Sequence, residues 1–560
     1  IARNRPAPEA ASSSSGITMM AAKGDHESAQ LVLRPEVATT LERIAVTDLQ
    51  GPKGCSIDAG NITVRRVFYH FVHTPTDQTG VVDWWPDALP AIQYPLSLSV
   101  GVNQPLWITI RVPRNAEAGE YHGEIRLTGP GWQATVPLQL TVWNFALPEQ
   151  NHLETAFGFD CWRAFQYHNV QSEEDRRHLL DLYFQSFADH RISPYVPTPL
   201  DPYRITFDLK SEPPRAVVDF SAFDKAMEEA IRRYHFTNFM VRIQGMGGGT
   251  FHSRVEPSLA GFAENTPQYQ ALFSSQVRQI EEHLRNKGWL HMAYVYWFDE
   301  PEPKDYEFVK AGMARLKKYA PGLPRMLTEE PVEPLYGYVD IWCPVSPNYD
   351  HKVAEERRRF GERFWWYICT GPKAPYCTLF IDHPATELRV WLWQTWQRRI
   401  SGILVWATNY WTSSAAFPDG FQDPYEDPMS YVSGYSTPKG VKRHWGNGDG
   451  RFIYPPPEAS VPGKTAGPVL SPPASSIRWE MLREGIEDYE MLWLLADLLK
   501  KYGNQLSQQE RELFAQLLEV PPEITRDMTT FTRTPDPIYQ RRAQIAAAIE
   551  VLLSRQSDRP

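Results

Sequence analysis

Residues 291–303 read HMAYVYWFDEPEP. An aromatic run of strand character stops abruptly at Asp299 and Glu300, after which Pro301 and Pro303 remove the donors a strand would need to continue. The helical pattern PKDYEFVKAGMARLKKYA follows at once, so the stretch is a strand–turn–helix unit with two carboxylates at the strand's exit. Seven more short apolar runs share this character: LETAFGFD (153–160), ISPYVPT (192–198), TNFMVRIQ (237–244), LPRMLTE (323–329), VDIWCPV (339–345), RFWWYICT (363–370) and GILVWATNYW (402–411). Amphipathic stretches such as SEEDRRHLLDLYFQSFADH and PQYQALFSSQVRQIEEHLRNKG separate them. Eight strands with intervening helices predict a (β/α)8 TIM barrel over 151–475, with its working face at the strands' carboxyl ends. An open doubly wound sheet is the alternative. It lacks support, because the GMGGGT run at 245–250 has the wrong glycine spacing and opens no helix.

The chain before the barrel has a different period. Between 27 and 143 the runs SAQLVLRP, ITVRRVFYHFV, QPLWITIRVP, GEYHGEIRLTG and WQATVPLQLTVW alternate apolar and polar residues between turns, which predicts an N-terminal β-sandwich over 1–150 that exits through FALPEQ. After the eighth strand, 417–476 is rich in Pro, Gly and Ser and too long for a plain connection. Residues 477–560 then read as C-terminal helices completing or packing on the barrel. The fold class is therefore multidomain, β plus α/β.

Composition narrows the partners. A net charge of −10 and a pI near 5.9, with no dense Lys/Arg run, exclude a nucleic-acid or anionic-membrane partner, and no apolar stretch is long enough to span a bilayer. The 19 Trp, 26 Tyr and 26 Phe suit a neutral ligand with apolar faces, although most single rings serve a core. No cofactor motif is present, and His190, Arg191 and His252 read as packing or loop residues rather than metal ligands. The five cysteines read as buried thiols, with a Cys369–Cys377 bridge as the alternative. The chain opens on Ile1 and a Pro/Ala/Ser-rich segment through Ser15, as expected of a trimmed or processed end, which fits a secreted or periplasmic protein.

Two carboxylates at one strand exit suit acid–base chemistry, because different surroundings can hold neighbouring acids in different protonation states. Retaining glycoside hydrolysis normally needs a second, separated carboxylate as nucleophile. The seventh strand offers no acid at its exit, whereas the fifth offers Glu329 and Glu330. The other route makes a 2-acetamido group of the substrate the nucleophile, with one carboxylate orienting it and the other moving the proton.

Together WFDEPEP, RWEMLREGIEDYEMLWLL, ESAQLVLRP, AGEYHGEIRLTG and VPLQLTVWNFALPE resemble glycoside hydrolase family 123 and its bacterial relatives, across nearly the whole chain. The resemblance implies an exo-acting β-N-acetylgalactosaminidase whose partner is a glycan or glycoconjugate with a terminal N-acetylhexosamine. It also implies that Asp299 orients the acetamido group and that Glu300 serves as general acid, then base. Around them, strand-end residues are expected to contact the sugar: Asp160, Arg163, Tyr195, Arg242, Gln244, Trp297, Trp342, Trp406, Asn409 and Tyr410. Arg242 is equally suited to balancing the charge of the pair. In LREGIEDYE, the residues Glu480, Arg483, Glu484, Glu487 and Asp488 fall at i,i+3 and i,i+4 spacing and read as structural ion pairs.

Overall fold

The structure, a computed structural model, describes residues 2–5, 16–434 and 437–557. Ile1, residues 6–15 of the opening segment, 435–436 of the long loop and 558–560 lie outside the described residues.

Two sheets face each other at the N-terminal end. In the first, Gly119–Gly129 pairs antiparallel with Trp132–Ala146, whose other edge takes Ile17–Lys23 in parallel. In the second, Gln104–Arg111 lies between His26–Leu33 and Ile62–Arg66, all antiparallel. The two-residue period of Gln104–Arg111 divides its side chains. Leu106, Ile108 and Ile110 enter the core shared with Ile125, Leu127, Leu138 and Leu140 of the facing sheet, whereas Trp107 points the other way, onto Val67, Leu89 and Ile477. One face of this sheet thus builds a sandwich core and the other docks on the helical part of the chain.

The parallel strands follow. Five form a continuous sheet in the order Glu154–Phe157, Gly402–Val405, Arg363–Tyr367, Ile341–Trp342, Met326–Leu327. The remaining segments join by thinner links: a parallel bridge from Phe157 to Pro194, a 2.9 Å bond from the Met240 N–H to the Tyr195 carbonyl, the two-residue parallel pair Phe239–Met240 with Ala293–Tyr294, and a bridge from Val295 to Arg325. Regular parallel sheet therefore accounts for about half of the expected ring.

Helices follow most strands: α1 (Cys161–Tyr167) and α2 (Glu173–Asp189), α3 (Ser221–Tyr234), α4 (Pro267–Asn286), α5 (Tyr306–Tyr319), α6 (His351–Arg358), α7 (Thr386–Gln397), then α8 (Ile477–Tyr502), α9 (Gln508–Gln516) and α10 (Asp536–Ser557). Ser172, Thr266 and Ser476 cap α2, α4 and α8 by accepting a backbone N–H of the first turn. The expected alternation fails between the fifth and sixth strands, where only the 3-10 turn Glu333–Leu335 stands. Pro331 and Pro334 remove two N–H donors from this short connection, and Gly337 adopts φ +81°, so no α-helix can propagate there.

Alternation also sorts the strands' side chains. Ala156, Tyr294, Met326, Ile341, Cys343, Trp365, Tyr367 and Leu404 form one inner cluster. Their neighbours Phe157, Leu327, Trp342, Phe364, Trp366, Ile403 and Val405 turn outward into the large core beneath the helices. All five cysteines are free thiols, so Cys369 and Cys377 do not bridge. No helix among the described residues is long and apolar enough to cross a membrane.

The acidic and basic residues of α8 form a buried network rather than a solvated stripe. Arg483 pairs within the helix with Glu480, but Arg389 of α7 reaches Glu484 at 3.0 Å and Asp488 at 2.7 Å. Arg542 of α10 reaches Asp488 at 3.0 Å, Asp25 at 2.8 Å and Glu27 at 2.5 Å. The N-terminal sheet domain is thereby tied to the helical one by ions.

A second tie is a hairpin, Tyr69–Val72 paired with Asp83–Pro86, whose tip bonds residues of the later part of the chain. There the Thr76 N–H and hydroxyl each bond Asp382 at 2.7 Å, and the Thr76 hydroxyl accepts from the Asn447 N–H at 2.9 Å. The Thr74 carbonyl accepts from the Asn447 side chain at 2.9 Å.

Candidate active site

The strand Phe298–Asp299 owes its position to the glycine run that sequence reasoning set aside. Gly248–Thr250 pairs with it in parallel, Gly249 opposite Phe298 and Thr250 opposite Asp299. Gly249 has φ +155°, and a Cβ there would stand 2.3 Å from the Ser253 carbonyl oxygen, so only glycine allows this approach. Immediately beyond, Glu300 has φ +43°, an uncommon conformation for a residue with a side chain. This turn breaks the strand's alternation, so the two acids find separate partners.

Asp299 accepts hydrogen bonds on Oδ1 from the Tyr296 hydroxyl at 2.5 Å and the Thr328 hydroxyl at 3.0 Å. Thr328 in turn accepts the Glu300 N–H at 2.9 Å, so one hydroxyl at the fifth strand's exit fixes both members of the pair. The Glu300 carboxylate accepts from the Tyr367 hydroxyl of the seventh strand. Burial pushes the Glu300 pKa above the ordinary carboxylate range, Tyr367 opposes that rise, and the neighbouring Asp299 charge adds to it. Tyr195 stands edge-on to Tyr296, with ring centroids 6.4 Å apart, and closes this side of the mouth.

Glu329 lies close enough for the Glu300 charge to act on it. Burial drives its pKa up to about 7, against a 2.9 Å bond from the Tyr306 hydroxyl. Glu330 instead accepts from the Asn348 amide at 3.1 Å.

Across the mouth, the ring of Trp406 lies 5.0 Å from Tyr410 and 5.5 Å from Trp445. Its Nε1–H donates to Asp449 Oδ1 at 3.1 Å, while Asp449 Oδ2 is buried with no hydrogen-bond partner among the described residues. Burial raises the Asp449 pKa to about 6. The Cys369 thiol, pushed up to about 12 by burial, also feels the charges of both Asp449 and Glu300. Sequence reasoning missed Asp449 and Trp445, because both lie in the aperiodic 417–476 stretch; its only signal was the acid inside GNGDGR.

Several expected contacts have other tasks. Trp342 is fully buried outside the inner cluster and donates to Glu362 at 2.6 Å, because strand phase turns it away from the mouth. Trp297 packs on α5, 5.5 Å from Phe308, and a Cβ on Gly312 would touch its ring, so it anchors the strand to its helix. Asn409 is a buried staple whose amide accepts the Asp160 N–H at 3.0 Å and donates to the Asp160 carbonyl at 2.8 Å. Asp160 caps α1 by accepting the Arg163 N–H at 3.0 Å. Tyr410 donates to the Tyr431 carbonyl at 2.8 Å and lies 5.1 Å beneath the Arg163 guanidinium. Arg242 and Gln244 are exposed, and their carbonyls accept from Tyr203 and Gln276, respectively. No cluster able to hold a metal occurs among the described residues. A separate cavity of about 590 Å³ lies between the sheet domain and the helices, lined by Trp84, Trp107, Thr386 and Tyr539.

If Glu300 supplies a proton, Tyr367→Phe has a defined pH signature. The lost hydroxyl favoured the ionised carboxylate, so the basic limb of kcat/KM should move to higher pH, by roughly half a unit to one unit for a bond of about 0.5–1.5 kcal/mol. An unshifted limb with lowered kcat would show that Tyr367 acts elsewhere than on Glu300.

Comparison with known proteins bears on this geometry. The family model for the glycoside hydrolase 123 catalytic domain matches residues 218–495, and the model for the glycoside hydrolase 123 N-terminal domain matches residues 2–129. The chain is a glycoside hydrolase. It belongs to glycoside hydrolase family 123. Among solved structures, it is similar to a family 123 glycoside hydrolase from Clostridium perfringens described for glycolipid glycan hydrolysis. That match has a TM-score of 0.66 and 16% identity over 96% of this chain and 94% of that one, a likeness of fold. The FMN-binding beta-glucuronidase from Facaelibacterium prausnitzii L2-6 matches at TM-score 0.24 and 10% identity over 69% of this chain and 54% of that chain, too distant to carry an argument. No curated protein matches the sequence.

Proposed function

We propose that the chain is an exo-acting, retaining hydrolase that releases terminal β-linked N-acetylgalactosamine by substrate-assisted catalysis. The observation that carries this reading is the pair's division of labour. Asp299 is fixed by two hydroxyl donors, as suits a group that must orient an acetamide N–H, while half-buried Glu300 has a raised pKa, as suits a proton donor. In the first step the acetamido oxygen attacks the anomeric carbon while Glu300 protonates the departing oxygen. Asp299 holds the amide N–H and stabilises the positive charge of the oxazolinium-like intermediate. Glu300, now a base, activates water from the face the leaving group vacated, so configuration is retained.

The reading includes a (β/α)8 barrel in which the two-residue links close the ring, a sandwich over 1–150, a catalytic unit over 151–475 and helices over 477–560. It places the enzyme outside the cytoplasm, acting on glycoconjugates; the glycolipid glycans described for the C. perfringens relative are one such class. A second reading, a two-carboxylate mechanism on a sugar without the acetamido group, rests on the position of Glu329 and Glu330 at the fifth strand's exit, where Glu329 is near enough to Glu300 for their charges to interact.

The test compares para-nitrophenyl β-N-acetylgalactosaminide, its gluco epimer and the matching 2-hydroxy galactoside, with the first product's anomer read by proton NMR. Fastest turnover of the N-acetylgalactosaminide with retention, and inhibition by a thiazoline mimic of the intermediate, are expected. An inverted product would eliminate substrate assistance, and faster cleavage of the 2-hydroxy substrate would move the role of nucleophile to Glu329 or Glu330.

A further inference from the structure

A chain of neighbouring side chains leads away from Glu300. Tyr367 leads to Cys369, which senses both Glu300 and Asp449; Asp449 bonds Trp406, Trp406 packs on Tyr410, and Tyr410 carries the Arg163 guanidinium. One residue before Arg163, on the first helix after the first strand, stands Trp162. It is 56% exposed, an unusual position for the largest side chain. Its ring is held rather than loose: Phe165 meets it edge-on with centroids 5.5 Å apart, and the Arg176 guanidinium lies 5.2 Å from its centre.

Both arginines have donors to spare. Among the described residues, Arg163 lies over the Tyr410 ring and has a long contact with Asp160, at 3.8 Å, an ion pair without a hydrogen bond. Arg176 is placed over the rings of Trp162 and Phe165, and its Nε–H, shielded from solvent, meets no acceptor among the described residues. A guanidinium carries five N–H donors, so the pair presents far more donors than the protein uses. Asp160, Trp162, Arg163, Gln166, Val170 and Arg176 line a concavity of about 380 Å³, within the range of small-molecule sites. An apolar ring face with hydrogen-bond donors at its edge matches a pyranose, which has an apolar face and a rim of hydroxyls.

We propose that Trp162, with Arg163 and Arg176, forms a binding platform on the leaving-group side, on which a sugar ring of the glycan beyond the scissile bond stacks. This inference rests on the glycosidase reading above. It adds that the enzyme selects substrates by the chain that carries the terminal sugar.

The experiment compares kcat/KM for methyl β-N-acetylgalactosaminide, which has no second ring, with that for a trisaccharide ending in the same β-linked sugar, in wild type, Trp162→Ala and Trp162→Phe. Trp162→Ala should lower the trisaccharide value roughly tenfold, the loss of one ring–ring contact, and leave the methyl glycoside unchanged, with Trp162→Phe recovering part of the loss. Equal values for wild type and Trp162→Ala on the trisaccharide, or an equal fall on both substrates, would overturn the platform. Calorimetric titration of the trisaccharide into Glu300→Gln with and without Trp162→Ala reads the platform without turnover. A roughly tenfold weaker Kd is expected, and an unchanged Kd overturns it. Wild type inert on N-acetylgalactosaminides, with the Kd difference present, would reject the proposed reaction and keep the platform.

Discussion

Glu300→Gln is expected to lower kcat/KM on an unactivated β-N-acetylgalactosaminide by about 10²- to 10⁴-fold, the usual range for a positioned acid–base group. Gln keeps the shape and still accepts a hydrogen bond from Tyr367, so the loss reports proton transfer rather than collapse of the site. The defect should shrink on a dinitrophenyl glycoside, whose leaving group departs without a proton. Added azide should then restore turnover, because it attacks the intermediate without a base, and a β-azide product should accumulate. Asp299→Asn should cost about 10²- to 10³-fold with no azide rescue, because its loss falls on stabilisation of charge that develops in the transition state. If azide rescued Asp299→Asn and not Glu300→Gln, the two roles would be exchanged.

The second large effect concerns the fold. Arg542→Met removes a cation that contacts Asp25, Glu27 and Asp488 together, at a site where Arg542 is 2% exposed. Where Asp25 and Glu27 are ionised, breaking this buried cluster by deleting one partner costs about 3–5 kcal/mol, since the remaining charges stay desolvated, and less where the two acids hold protons. Urea midpoints should fall accordingly. The loss should also depend on pH, with a sign fixed by the two acids. Burial raises Asp25 to about 7 and Glu27 to about 8, with the charges of Glu487 and Glu484 as further causes, respectively. Groups raised in the folded state retain protons there that the unfolded chain has already released, so stability declines as pH rises from about 4 to about 8 and then levels. Wild type should therefore unfold at lower urea at pH 8.5 than at pH 5.5, and Arg542→Met more steeply so. Identical midpoints at the two pH values would show that these acids are ionised in the folded protein.

What the sequence made legible follows its periodicities. The exit of the fourth strand was readable because Asp299, Glu300 and two prolines interrupt an apolar run, and the structure places partners for both acids there. The helices were readable for the same reason, down to caps such as Ser476. Which rings face inward was not readable. RFWWY has four aromatics, yet only the strand's phase against its neighbours sends Trp365 and Tyr367 inside and Phe364 and Trp366 outside. The same phase removes Trp342 from the mouth. The LREGIEDYE helix showed its charges but hid their partners, because Asp25, Glu27, Arg389 and Arg542 lie far away along the chain. Asp449 went unnoticed because no period marks a long loop.

The hairpin tip at Thr74 and Thr76 ties the front of the chain to the loop that carries Asp449. Asn447 lies two residues before Asp449, and its backbone and side chain are both bonded to that tip. A gene cut at the composition boundary near residue 150 would yield a chain whose Asp449 loop has lost these outer hydrogen bonds. Architecture has two parts here, but inheritance must treat them as one, and a recombinant that exchanges the front end without its matching loop should fold and still work poorly.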